Sequence, residues 1–359
     1  MQMNPLILSA LVVPPLVLTA CTDRPPLQEL ACLEQPCKHP MAESMRGLLM
    51  KHYDRYRVGD EYLGDFPYIA VLTAMAAVEP ELQPHLLDML KALQAHGALA
   101  YQPDFTGTPA LLYALMTGDT GVIEWFRSHG LSPEEVKDDS GRNRNSAMFA
   151  AWGGQLALLK ELHAAGADLT HRDSMGQGVH FYAATGGSIE CLEYLAANGV
   201  DITAETPGGA SPALAAAYSG NVECLRYLQN KGCNVISTYP DGTNALMYAA
   251  WGGSIDMVEY LLTCGLSLHG CAEDGTTLMH HAAYGCQVSM LKYLLEKGLD
   301  VNTPNAKGLT PLMAAASSGN VEAIRFLLQR GADPSAKDSQ GRTARDYALM
   351  LYHNAAGEL

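Results

Sequence analysis

The chain has 359 residues, of which 48% are hydrophobic, and a formal net charge of −15. A chain of this length exceeds one typical compact core, so we expect two domains or an elongated architecture, and the apolar content excludes general disorder. The negative charge disfavours nucleic acid and anionic membrane surfaces as partners, because their phosphates would be repelled. If the charge selects a partner, that partner is basic; the alternative is an acidic surface that only maintains solubility.

The first 20 residues carry no charge and contain an apolar run from Leu6 to Ala20. This run is too short to span a bilayer and is typical of the core of a secretory signal peptide. Residues 18–21, Leu-Thr-Ala-Cys, resemble the bacterial lipobox, in which the cysteine is lipidated and becomes the mature N-terminus. The resemblance implies a signal peptide over residues 1–20 and lipid attachment at Cys21.

Thr22 follows that cysteine, where lipoproteins retained at the inner membrane tend to carry aspartate. We therefore expect a periplasm-facing lipoprotein, at the outer membrane rather than the inner one. The alternative is an uncleaved leader on a cytoplasmic protein, because no Lys or Arg precedes the apolar run and Pro14-Pro15 interrupts it.

Residues 21–40 contain four prolines and little periodicity, which predicts a tether. Cys32 and Cys37 lie five residues apart in it, and an oxidising periplasm would allow them to form a local disulfide. No second ligand pair follows at zinc-site spacing, so the disulfide is favoured over a metal site. Residues 41–102 are predicted to form a helical N-terminal cap that includes a degenerate repeat.

Glycines recur along the rest of the chain at an interval of 33 residues, with one interval of 36 between Gly130 and Gly166. The three extra residues fall near a polar stretch, SPEEVKDDSGRNRN, where a loop would accept them. Each unit has a pair of small residues in a first short helix, then apolar residues three apart in a second, such as Ile255, Val258 and Leu261. Neither helix can bury its face alone, so the units must stack.

Residues 307–338, KGLTPLMAAASSGNVEAIRFLLQRGADPSAKD, resemble the ankyrin repeat. The match includes Thr-Pro-Leu at the helix start and Gly-Ala-Asp at the exit, with Met313 in place of the usual histidine. The resemblance covers about residues 103–350. It implies an all-α solenoid of stacked helix pairs with short β-hairpin loops, in which residues 103–340 form the repeats and residues 341–359 a C-terminal cap.

Large aromatic residues occupy four of six equivalent positions at the end of the first helix. They are Trp152, Tyr218, Trp251 and Tyr284, and the other two positions hold Thr185 and Ser317. In an ankyrin stack this position is variable and lies toward the concave side. The small pair before it already makes the contact between helices, so we expect the rings to face outward and bind a protein partner. Tyr182 and Tyr248, one helical turn earlier, join the candidate set, although packing between helices is the favoured role there.

Motifs for catalysis are absent from the sequence: it has no GxSxG elbow, P-loop, HExxH helix, CxxC pair or dinucleotide fingerprint. We predict no catalytic residue, no metal ligand and no cofactor. His280 stands at the structural histidine of the repeat and should hydrogen-bond to the neighbouring loop. Cys191 and Cys224 share one repeat position and should fill the same small core slot. The rival hypothesis is an enzyme or metal protein that uses the His and Cys residues of the later repeats.

These features predict a non-enzymatic protein-binding scaffold anchored in the bacterial periplasm. Periplasmic ankyrin proteins that this chain resembles include immunity proteins, which bind a secreted antibacterial effector, and proteins that support oxidative-stress defence beside a catalase. An acidic lipoprotein with an aromatic groove favours the immunity role. The catalase-linked role is one alternative, and a cytoplasmic scaffold is another if the leader is not a signal.

Overall fold

The computed structural model describes Thr73, Gln83, residues 86–95 and residues 108–351 apart from residues 139, 237, 240 and 286. The described residues fall into two compact units, an N-terminal unit that ends at Ser174 and a C-terminal unit that begins at Met175. The predicted signal peptide, the tether and most of the predicted N-terminal cap lie outside the described residues. So do the predicted lipid site and the candidate disulfide, at Cys21, Cys32 and Cys37.

Short helices joined by tight loops make up the N-terminal unit. Its described helices are α1 (Leu86–Ala95), α2 (Ala110–Thr117), α3 (Thr120–Ser128), α4 (Ser146–Trp152) and α5 (Leu156–Ala164). The helices α2 and α4 pack against each other, and each also packs against the helix that follows it. The unit therefore stacks two helix pairs.

The C-terminal unit repeats this arrangement. Its described helices are α6 (Val179–Thr185), α7 (Ile189–Ala197), α8 (Pro212–Ser219), α9 (Val222–Asn230), α10 (Ala245–Gly252), α11 (Ile255–Thr263), α12 (Leu278–Tyr284), α13 (Val288–Glu296), α14 (Pro311–Ser317), α15 (Val321–Gln329) and α16 (Ala344–Leu351). The first helices of the repeats are α6, α8, α10, α12, α14 and α16, and consecutive ones pack on one another. Each second helix packs on its own first helix.

The predicted all-α stack of helix pairs is thus confirmed. The loops between repeats form isolated antiparallel bridges among the described residues, Thr238 with Asn244 and Cys271 with Thr277, in place of full hairpin strands. Among the described helices, none has the length and apolar character needed to cross a membrane.

A polar side chain starts each of several second helices at the same repeat position. Asn221, Ser254 and Asn320 accept hydrogen bonds from the backbone N–H three residues on, at 2.9, 3.2 and 2.7 Å. Such caps satisfy an N–H that has no partner within the helix. Because the first helix ends directly before this position, the cap lets the chain reverse within a very short loop.

The second helices bury one face, but that face is rotated from the predicted one. Ile255, the first member of the predicted triplet, is half-buried, whereas Met257, two positions later, is fully buried together with the predicted Val258 and Leu261. Cys191 and Cys224 hold that later position with no exposed surface, as the shared core slot predicts. Burial raises the pKa of the Cys224 thiol to about 12, so this cysteine is a small apolar core residue.

A buried ion pair organises the three-residue insertion of the N-terminal unit. Nε of Arg144 lies 2.6 Å from Oδ2 of Asp138, and the two side chains are 2% and 0% exposed. Burial opposes ionisation of Asp138, but the hydrogen bonds and charge of Arg144 outweigh it and lower its pKa. Asn143 has φ 56° and stands 33 residues before Gly176, which has φ 79°. Asparagine therefore supplies here the left-handed conformation that later repeats obtain from glycine.

Glycines at the ends of first helices permit consecutive first helices to approach closely. A Cβ on Gly252 would overlap the carbonyl oxygen of Tyr218 in the preceding first helix. A Cβ on Gly285 would overlap the carbonyl oxygen of Trp251 and lie 2.5 Å from its Cδ1 atom. The stacking distance on this side is set by backbone-to-backbone contact, and any side chain at these glycines would increase it.

Replacing Gly252 by alanine is expected to lower the free energy of unfolding of the C-terminal unit by about 1–3 kcal/mol, because the added methyl group separates α8 from α10. Urea unfolding followed by circular dichroism measures the change. Gly208→Ala is the matched control, since a Cβ there meets only Oγ1 of Thr206, at 3.9 Å. Equal losses in the two variants would contradict the close-approach explanation.

Candidate functional site

Three aromatic rings from consecutive repeats form a continuous column in the C-terminal unit. The ring centroids of Tyr218 and Trp251 lie 5.5 Å apart, and those of Trp251 and Tyr284 lie 5.9 Å apart. Both pairs meet edge to face, with an interplanar angle of 70°. This is a favourable geometry for aromatic pairs, because the positive edge of one ring meets the negative face of the next. We call these three residues the aromatic column.

The exposure of this column differs from the prediction. Trp251 is only 6% exposed, whereas Tyr218 and Tyr284 are half-buried. The expectation that the indole faces outward is therefore wrong. The cause is the close approach at Gly285, which brings the next first helix against the indole while the two tyrosines cover its sides. The tyrosines are left as the partly accessible members of the column, although burial raises the pKa of Tyr218 to about 12.

Trp152 occupies the equivalent position in the N-terminal unit and is also largely covered, with 8% of its surface exposed. Its ring centroid lies 6.0 Å from that of Phe149, and Phe149 meets Tyr113 edge to face at 5.9 Å. Phe149 and Tyr113 are 0% and 1% exposed. Trp152 is thus the outermost ring of an aromatic cluster in the core of its own unit.

Tyr182 and Tyr248, the other members of the predicted partner-binding set, belong to the core. They are 0% and 1% exposed, because side chains one turn before the column point between neighbouring first helices. The Tyr248 ring stacks on Trp251 at 6.2 Å and lies 5.9 Å from Tyr239 in the adjoining loop. Burial raises the pKa of Tyr248 well above its ordinary value. Tyr248 thus supports the column from within, and neither Tyr182 nor Tyr248 reaches solvent.

His280 performs the structural role predicted for it. Its Nε2 atom lies 2.9 Å from the carbonyl oxygen of Leu309 in the next loop, and its Nδ1 atom accepts the backbone N–H of Thr277 at 3.1 Å. This pattern fixes Nε2 as the protonated nitrogen. Burial lowers the pKa of His280, although the bond to Leu309 opposes the shift. The histidine joins one repeat to the next and has no nitrogen left for a metal.

Comparison with known proteins assigns the family. A family model described as "Ankyrin repeats (3 copies)" matches residues 147–238, 179–270 and 246–338. These matches run from residue 147 to residue 338, more than half of the 359 residues, and contain the whole aromatic column. The chain belongs to the ankyrin-repeat family. Among solved structures, the human ASB11 ankyrin repeat domain is similar over 60% of this chain and 96% of its own length, with 27% identity and a TM-score of 0.43. No curated protein matches the chain.

A second aromatic series, which the sequence analysis missed, runs along the second helices of these ankyrin repeats. Its members lie 33 residues apart, are all half-buried, and are Tyr194, Tyr227, Tyr260, Tyr293 and Phe326. The hydroxyl of Tyr260 donates to Gln229 and that of Tyr293 to Glu259, each at 2.6 Å. The series therefore links one second helix to the one before it. The regular 33-residue interval was the signal that identifies it.

Cations of the ankyrin repeats collect on this second series. The charged groups of Arg226 and Lys231 lie 4.9 and 5.3 Å from the ring centroids of Tyr260 and Tyr227. Nζ of Lys297 lies 5.0 Å from the Tyr293 centroid and 3.0 Å from a carboxylate oxygen of Glu259. Pairs of this kind are worth about 0.5–1 kcal/mol each at exposed sites. These three positive charges are thus held on the second-helix side.

A cleft and a metal-binding cluster are the alternatives to the aromatic column as a functional site. A cleft of about 330 Å³ in the N-terminal unit is lined by Asn145, Ser146, Asp168 and His171, among others. Its polar groups bond within the fold: Nε2 of His171 lies 2.7 Å from the carbonyl oxygen of Asn143, and the Asn145 amide donates to the Asp168 carbonyl at 3.0 Å. In the part of the chain that the structure describes, no three His, Cys, Asp or Glu side chains converge as metal ligands. Because the cleft offers no reactive group and the described residues form no metal-ligand cluster, the aromatic column is the better candidate.

His281 provides a test of the packing behind the column. It stands where the preceding repeat has Tyr248, is 4% exposed, and has no hydrogen-bond partner for either ring nitrogen among the described residues. Burial, aided by the charge of His280 and opposed by that of Asp274, lowers its pKa from 6.5 to about 4. The unfolded chain therefore binds a proton between pH 6.5 and pH 4 that the folded chain does not.

Stability should fall as the pH falls through this window, by about 3 kcal/mol for this group in total, and should be independent of this group above pH 6.5. His281→Phe removes the titration, so the difference in unfolding free energy between this variant and the wild type should grow as the pH falls from 6.5 to 4. Urea unfolding at a series of pH values measures it. Parallel pH profiles for the two proteins would contradict the burial of a neutral imidazole.

Proposed function

We propose that this ankyrin protein is a non-catalytic binding scaffold, anchored through a lipid on Cys21 and facing the bacterial periplasm, where it acts as an immunity protein against an antibacterial effector. The family implies a protein-binding scaffold. The observation that supports partner binding at a particular surface is the aromatic column, where Tyr218 and Tyr284 flank Trp251 on consecutive first helices.

Preorganisation makes the column suited to binding. Trp251 contacts the rings of both tyrosines, and Tyr248 stacks on Trp251 in turn, so a partner meets side chains that are already ordered. Binding then loses little side-chain entropy, which otherwise costs about 0.5–1.5 kcal/mol for each immobilised side chain. Tyrosine and tryptophan are also the residues most often found at energetic centres of interfaces.

Two further features support the periplasmic part of the proposal. Residues 18–21 match the lipobox pattern behind an uncharged apolar run. Cys191, Cys224 and Cys233 are buried free thiols, and burial raises the pKa of each. A low thiolate content protects a cysteine from oxidation, so these three residues are compatible with an oxidising compartment. Cys264 and Cys271 are also free, and Cys271 is exposed, so this protection does not extend to them.

Lipid attachment is tested by Cys21→Ala. We expect this variant to lose palmitate incorporation and to leave the membrane fraction, because the lipobox offers a single acceptor thiol. Labelled palmitate followed by fractionation measures both effects. Cys32→Ala, a cysteine in the same predicted tether, is the matched control and should keep the label. Label that persists in Cys21→Ala would remove the lipoprotein proposal.

The immunity role is tested by competition between sibling cells. A strain that lacks the gene should lose viability beside the wild-type strain, and the wild-type protein should restore it. Tyr218→Ala/Tyr284→Ala should fail to restore it, since the accessible rings of the column are gone.

Tyr227→Ala/Tyr293→Ala removes two half-buried tyrosines from the second-helix series and is the matched control that should restore viability. Thermal unfolding of both purified variants separates lost binding from lost folding. If the deletion strain is sensitive to peroxide and indifferent to its siblings, the immunity role is wrong and the oxidative-stress role replaces it.

A further inference from the structure

The charges of the C-terminal unit are segregated between its two sides. Between residues 175 and 305 the Lys and Arg residues are Arg226, Lys231, Lys292 and Lys297. Each lies within a second helix or directly after one. The first helices α6, α8, α10 and α12 contain no Lys or Arg. In the loops that lead into the last three of them the one such residue is Lys231, which directly follows α9 and lies over the Tyr227 ring of that helix. Within residues 175–305 the Lys and Arg side chains therefore lie with the second helices, whereas Lys307, Lys337 and Arg342 lie in the later loops of the unit.

Carboxylates occupy those same loops. Asp201 and Glu205 lie in the loop before α8, Asp241 in the loop before α10, and Glu273 and Asp274 in the loop before α12. Asp201, Asp241 and Asp274 accept backbone N–H groups of their own loops, at 3.0, 3.0 and 2.9 Å. Glu205 and Glu273 are exposed and form no ion pair with any described residue. Their charges are not needed to build the loops.

A backbone contact joins two of these loops, and ring packing connects one of them to the aromatic column. The N–H of Glu273 donates to the carbonyl of Asp241 at 2.8 Å, so consecutive loops touch where their carboxylates stand. The charge of Asp241 acts on the Tyr248 hydroxyl and that of Asp274 on the His281 ring, although burial is the larger influence on both pKa values. Tyr248 stacks directly on Trp251 of the column. Tyr248 thus lies close both to the Asp241 loop and to Trp251 of the column.

Apolar area alone does not account for recognition at this face. Among the described residues, the exposed large hydrophobic side chains are Ile236 and Leu349, which are isolated from each other in sequence. The accessible surface of the column consists of parts of Tyr218 and Tyr284, whose ring faces attract cations. The loop carboxylates and the half-buried tyrosine rings of the same repeats form a surface that is complementary to Arg and Lys.

We propose that this face, formed by Glu205, Asp241, Glu273, Tyr218 and Tyr284, takes a partner segment rich in Arg or Lys. The inference rests on the proposed protein-binding function and specifies the chemistry of the partner. The positive side chains of the partner lie between the loop carboxylates and the tyrosine rings. Lys307 lies in the loop before α14, and its positive charge marks the C-terminal limit of the face. A second copy of this chain is disfavoured as the occupant, because its own face carries the same negative charge.

The test uses a short fluorescent glycine–serine peptide with interspersed arginines, and the same peptide with citrulline, which keeps the shape of arginine and lacks its charge. The full mature chain should bind the arginine peptide about tenfold more tightly than the citrulline peptide, and added salt should weaken the binding. Fluorescence anisotropy measures both. Equal binding of the two peptides would overturn the proposal.

Glu205→Gln/Glu273→Gln removes the two unpaired loop charges and should weaken arginine-peptide binding at least about fivefold. Glu190→Gln/Glu193→Gln changes the net charge equally on the exposed side of α7 and is the matched control, with binding expected within about twofold of wild type. An equal loss in both variants would mean that total charge, and not this face, attracts the peptide. That outcome would overturn the site.

Sibling competition separates this inference from the proposed function. Loss of rescue by both Glu205→Gln/Glu273→Gln and Tyr218→Ala/Tyr284→Ala supports the two together. Rescue that is lost with the tyrosine variant and kept with the glutamate variant would leave the immunity role intact and overturn the basic partner. If the gene is not needed for competition at all, the immunity role fails, and the peptide measurements decide the charge preference by themselves.

Discussion

Backbone contact between consecutive first helices is the constraint on which the C-terminal unit depends. Gly252 and Gly285 let one first helix approach the carbonyl groups of the one before it. That approach fixes the spacing of the stack and presses each aromatic side chain against the next repeat. The same contact explains why a tryptophan stands between small residues and glycines, because the small residues provide the space in which the indole is held.

The aromatic column follows from this spacing. At 5.5 and 5.9 Å between centroids, the rings of Tyr218, Trp251 and Tyr284 contact one another edge to face instead of standing apart in solvent. Trp251 becomes the covered centre, and the tyrosines become the accessible surface. A wider stack would expose three separate rings, each free to change rotamer. Close stacking thus converts a row of exposed aromatic residues into a rigid surface with a defined shape.

Charge adds the second property of this surface. Cations of residues 175–305 engage rings and carboxylates along the second helices, as Arg226 does with Tyr260 and Lys297 with Tyr293 and Glu259. The loops beside the column keep Glu205 and Glu273 without such partners among the described residues. The overall charge of −15 is therefore unevenly distributed, and the field it produces favours a basic partner on the side where the column lies.

The sequence by itself determined the period, the helix pairs, the ankyrin family, the core role of Cys191 and Cys224 and the hydrogen bonding of His280, because each depends on residues at fixed offsets within a repeat. The tertiary structure decided the distance between repeats, which the positions of residues within a repeat do not specify. That distance covers Trp251, buries Tyr182 and Tyr248, and joins the second-helix tyrosines into a series. Burial of a side chain depends on what the neighbouring repeat brings against it, and the spacing of residues along one chain does not specify how closely two backbones meet.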